Sequence, residues 1–196
     1  MYKKQLIFQK IVCMAMLIMS AVIFIYSLGI MTDIFDSLYS AYDPELGTEK
    51  VSGSALYYEM QPFNGYFTNL SIGLIIVTLI LFFTCTHSRR KYYIGNYIAV
   101  GISSVCNVAF TVWALSNISY YKALYLQVDF ASLREYLEKR NKLNMYTDST
   151  FWFDIGYVIF GVLLFVTVLL IVNTIFKVLL MKEEKRLIGS RKDVKA

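Results

Sequence analysis

Four apolar runs, at about 11–32, 62–88, 92–121 and 152–178, divide the chain. The first three hold no charged side chain, and the fourth holds none between residues 155 and 176. A helix needs about 20 such residues to cross the hydrocarbon of a bilayer. The pattern therefore predicts an all-α membrane protein, a four-transmembrane-helix bundle folded as one domain. The first run is longer than the roughly 7–15 apolar residues of a signal peptide, and no A-x-A-like site follows it. It reads as a retained span.

Polar segments separate the runs. Residues 33–61 form an acidic, tyrosine-rich loop in which Asp43-Pro44 and Gly47 mark a turn. A short hairpin is expected over residues 50–60, around Ser52-Gly53. Between the second and third runs only Arg89, Arg90 and Lys91 intervene, so those two spans must be antiparallel neighbours. Residues 122–150 are expected to be helical in their middle. Leu126, Phe130, Leu133 and Leu137 share one face by spacing, and Ser132 with Glu135 fits a capping box, with an earlier start left open. Phe130, Leu133 and Leu137 would cap the bundle or dock a partner. Residues 179–196 form a basic tail.

The third run places Gly95, Ala99, Ser103, Asn107 and Thr111 at steps of four, which reads as a narrow small and polar seam along one helix face. Lipid does not select such a seam, whereas a neighbouring helix does. Packing within the chain is the first reading and a foreign helix the second. Asn107, at mid-span, requires a partner, for which Asn173, Thr167 or Thr174 of the fourth run are candidates. Val100 and Val108 fall off the stripe. Gly65, Asn69 and Gly73 form a second, shorter seam on the second run.

Composition supports the membrane assignment and narrows the chemistry. Only 17% of the 196 residues are charged and 57% are hydrophobic, against about 25% charged in a soluble domain. The abundance of Ile, Phe, Tyr, Lys and Asn points to a bacterial source. The net charge of +5 does not suggest nucleic acid, because the basic residues sit beside apolar runs. The N-terminal segment, residues 89–91 and residues 177–196 hold 13 Lys and Arg, against 6 in the two loops. By the positive-inside rule both termini are cytoplasmic and both loops lie outside, in a plasma membrane. Arg89, Arg90 and Lys91 are the topology determinants of the central turn.

Chemistry-bearing residues are few. Cys13, Cys85 and Cys106 fall in or near the runs, which excludes a disulfide-stapled ectodomain. Cys85 and His87 are two ligands where a structural zinc wants four, so no metal and no cofactor are expected. No cysteine is paired with a base, and no catalytic residue can be named. The sequons at Asn69 and Asn117 sit at span edges and read as chance. No Asp, Glu, Lys or Arg lies within the core of any span, which argues against ion-coupled transport. The four spans and larger first loop resemble claudins and tetraspanins in topology alone. The paired loop cysteines and tryptophan motif of the first and the cysteine motif of the second are missing.

The expected function is a non-enzymatic accessory or assembly subunit packing against a larger membrane complex. Its partners would be the lipid bilayer and other membrane protein subunits, not nucleic acid. The alternatives are a small channel or transporter component, oligomeric in form, and third a membrane-embedded enzyme.

Overall fold

A computed structural model describes the backbone of residues 2–87 and 94–193 and the side chains of residues 4–85 and 94–187. The elements in order are α1 (Tyr2–Gly29), α2 (Thr32–Leu38), a 3-10 turn (Tyr39–Ala41), β1 (Tyr42–Asp43), β2 (Thr48–Glu49), α3 (Leu56–His87), α4 (Ile94–Tyr125), α5 (Phe130–Lys139), a second 3-10 turn (Leu143–Met145) and α6 (Phe151–Asp193). Four stretches are long and apolar enough to cross a membrane: Lys4–Ala41, Leu56–Cys85, Ile94–Tyr125 and Phe151–Leu187.

The segment between α1 and α3 differs from expectation. Residues 33–61 are not all loop, because α2 and a 3-10 turn continue the chain after a short break at Ile30–Met31. The hairpin lies at the Asp43-Pro44 and Gly47 turn, not at residues 50–60, pairing Tyr42 with Glu49 and Asp43 with Thr48. Asp43 Oδ1 accepts the N–H groups of Glu45 and Leu46 at 3.2 and 3.4 Å, and Gly47 takes a φ of +61°. A side-chain acceptor at the first residue and a glycine where φ is positive are what this turn requires. Helix α3 then begins at Leu56, ahead of Pro62. Glu49 explains the early start, since its carboxylate accepts the N–H groups of Gly53 (3.3 Å) and Ala55 (3.0 Å) just before the first turn. Pro62 sits inside α3 and has no N–H to give the carbonyl of Tyr58.

Helix α5 begins earlier than the capping box implies. Asp129 is its N-cap, accepting the N–H of Ser132 at 3.0 Å and the Ser132 hydroxyl at 2.6 Å. The two bonds hold the Asp129 carboxyl below its ordinary range. Helix α6 carries the basic tail as helix as far as Asp193.

The chain forms two compact units, Met1–Ser20 with Leu74–Ala109 and Val162–Ala196, and Ala21–Gly73 with Phe110–Gly161. The first unit has a mixed core. Met16, Leu81, Leu163 and Leu170 are fully buried there, beside buried Gln9, Ser20, Thr78 and Asn173. The Ser20 and Thr78 hydroxyls bond across α1 and α3 at 2.8 Å.

The second unit is aromatic. Phe67 stacks on Phe63 (centroids 5.6 Å apart) and meets Phe110 and Phe160 at 5.7 and 6.1 Å. Leu133 and Leu137 of α5 are fully buried in this unit, so the chain itself occupies that face. Phe130 is half-buried and meets Tyr125 edge-on at 5.1 Å. Leu126, expected on the same face, is 61% exposed, and Val128 is buried instead. Lys122 and Asp154 pair at 2.5 Å and join the end of α4 to the start of α6.

Candidate functional site

Two features of the chain carry chemistry or contact potential. One is a buried polar cluster in the first unit. Helix α1 contributes Gln5, Gln9 and Cys13 at steps of four, all buried. Helix α6 contributes Asn173 and Lys177, also four apart and buried. Cys85 comes from α3, and Asn96 and Tyr97 from α4. Gln5 Nε2 donates to Gln9 Oε1 at 3.1 Å and to Asn173 Oδ1 at 3.3 Å. Cys85 Sγ donates to Asn96 Oδ1 at 3.1 Å. The Lys177 ammonium lies 5.2 Å from the centre of the Tyr97 ring, whose hydroxyl donates to Met181 Sδ at 3.1 Å.

Lys177 is only 4% exposed. Among the described residues it makes no ion pair with a carboxylate, and its ammonium is met by the face of the Tyr97 ring. Such a group is expensive in a membrane span and is a default pointer to function. The amides are also incompletely used. Gln5 Oε1, Gln9 Nε2 and Asn173 Nδ2 have no hydrogen-bond partner. Reversing all three amides keeps both bonds and turns the oxygens of Gln9 and Asn173 outward instead. In either arrangement each of the three amides keeps one free end. The cluster can therefore hydrogen-bond a polar ligand or water, with one positive charge beside it. Among the described residues no group of three or more His, Cys, Asp or Glu could hold a metal ion.

The reading of 177–196 as a tail missed this cluster. The signal was present: Leu163, Val166, Leu170, Asn173, Lys177 and Met181 follow each other at steps of three and four, and all are buried. That face simply continues past the last uncharged residue.

The α4 seam is placed in part. Ser103, Asn107 and Thr111 are buried, while Gly95 and Ala99 are half-exposed. Asn96 and Val100 are buried in their stead, so Val100 is not off the stripe as expected; Val108, at 44% exposure, is. The reason is helical drift. At 100° per residue, each step of four rotates about 40°, so five positions spread over roughly 160° of the helix surface. Asn107 does not bond Asn173, Thr167 or Thr174. Its Nδ2 donates to Ser103 Oγ at 3.5 Å on its own helix, and its Oδ1 has no partner. Asn173 bonds Gln5, while Thr167 and Thr174 donate to carbonyls of their own helix.

The second feature is the stripe Gly65, Asn69 and Gly73 on α3, which faces outward. All three are exposed, and a Cβ added at either glycine would meet no atom within 4 Å. Tyr66, Leu70, Ile72 and Ile76 beside them are exposed too. Arg89, Arg90 and Lys91, and the side chain of His87, lie outside the described residues. All three cysteines are free.

These helices define a class: four elements capable of spanning a bilayer suggest a multi-pass membrane protein. No family model matches the chain, and no curated protein or solved structure is significantly similar to it.

Proposed function

We propose that the chain is a non-enzymatic accessory subunit that packs against a larger membrane complex through α3. The carrying observation is the exposed Gly65–Asn69–Gly73 stripe. Glycines let a partner helix approach closely, and Asn69 offers it a hydrogen bond that lipid cannot make. Replacing both Gly65 and Gly73 by leucine meets no atom of this chain, so folding should be kept. Recovery of the co-purifying partner should fall at least tenfold while the melting temperature in detergent is unchanged. Undiminished recovery would remove the stripe from any interface.

The same proposal places a four-helix bundle in a bacterial plasma membrane with both termini cytoplasmic, on the strength of the charge asymmetry. Reporter fusions at Ala196 should read cytoplasmic, and fusions near Gly47 and Asn141 external. The reverse pattern would overturn the orientation.

The Lys177 cluster favours a second reading, a channel or transporter component. It supplies a buried ionisable group one residue past the uncharged run of α6. Solute flux in liposomes lost on changing Lys177, with the partner still bound, would select this reading.

A further inference from the structure

We infer that the groove between α4 and α6 beside Lys177 binds the headgroup of one anionic phospholipid. Tyr97 of α4 and Val178, Met181, Lys182 and Lys185 of α6 line it, an open groove of about 320 Å3. This lies at the low end of the roughly 300–1,000 Å3 of small-molecule sites. It suits a phosphate and glycerol unit whose acyl chains stay in the bilayer. The walls match that occupant. Val178 and Met181 are apolar, whereas Lys182 and Lys185 are exposed at the mouth.

The position is consistent too. The uncharged run of α6 stops one residue before Lys177, so Val178 to Lys185 falls where hydrocarbon gives way to headgroups. There the lysine stems lie along apolar surface and their ammonium groups reach the phosphate level. On α6, Glu183 and Glu184 fall about 110–150° round the helix from the centre of the groove face. Behind the wall, buried Lys177 over the Tyr97 ring adds a third cation. Basic pockets between spanning helices are suited to anionic headgroups in this way. The inference rests on the helices crossing a bilayer and is independent of the α3 contact.

Native mass spectrometry of the detergent-purified chain, offered phosphatidylglycerol and phosphatidylcholine with the same acyl chains, tests it. One phosphatidylglycerol should be retained with a preference of about tenfold or more. The double change Lys182→Gln and Lys185→Gln, both at exposed positions, should abolish the preference with no change in melting temperature. Lys139→Gln on α5 should leave it intact. Equal retention of the two lipids, or a preference that survives the double change, would overturn the inference. Displacement of the lipid by inorganic phosphate would also overturn it, assigning the groove to a free anion.

Discussion

Replacing Gly156 by valine is expected to lower stability by about 2–4 kcal/mol. The expectation comes from a reciprocal contact between α1 and α6. A side chain at Gly156 would run into the Tyr26 hydroxyl and would also meet Ile118 Cδ1 at 3.2 Å. Tyr26 is 3% exposed and cannot swing aside freely, since its ring meets Phe67 edge-on at 5.8 Å. Its hydroxyl donates to the carbonyl of Trp152 at 2.8 Å. One turn away, Gly29 of α1 receives the Trp152 ring, which would lie 2.5 Å from a Cβ there. Each helix thus offers a glycine to the other's aromatic ring. Overpacking costs typically 1–3 kcal/mol and the lost hydrogen bond about 1 more. The better helix propensity of a non-glycine residue offsets less than about 1 kcal/mol. Thermal unfolding in detergent measures the result. Gly161→Val on the same helix, where nothing lies within 4 Å, is the control and should be neutral. Tyr26→Phe should recover part of the loss caused by Gly156→Ala, because the hydroxyl is the first atom struck. If Gly156→Val melts with Gly161→Val, the close approach of α1 and α6 is wrong.

Lys177→Met is expected to do the opposite, raising stability by roughly 1–4 kcal/mol. The desolvation of a buried ammonium costs several kcal/mol after relaxation. Its visible compensation is the Tyr97 ring at 5.2 Å, and a desolvated cation–π contact returns only about 2 kcal/mol. Methionine keeps most of the stem and its packing and removes the charge. A chain that keeps a costly lysine keeps it for activity, so the stabilised variant should lose solute flux or lipid retention. A variant that melts more than about 1 kcal/mol below the parent would mean that the ammonium is well bonded. The lysine would then belong to the architecture, not to a ligand site.

The number of long helices was legible in the sequence, because hydrocarbon admits only long uncharged runs and the runs announce themselves. The buried face of α5 was legible for a related reason. A helix in water separates Leu133 and Leu137 from Arg134, Glu135 and Lys139, and that contrast has a direction. The spanning helices lack it. Residues that meet lipid and residues that meet another helix are both apolar, so the sequence marks the span but not the side that packs. Hence Gly95 and Ala99 looked equivalent to Ser103 and are not, and the glycines at 65 and 73 could not be told from those at 29 and 156. Only the packed helices separate the glycines that receive an aromatic ring from those left open. They also decide that Lys177, one residue past an uncharged run, turns inward beside the Tyr97 ring, since a side chain at a span's end has both bulk water and the protein interior within reach.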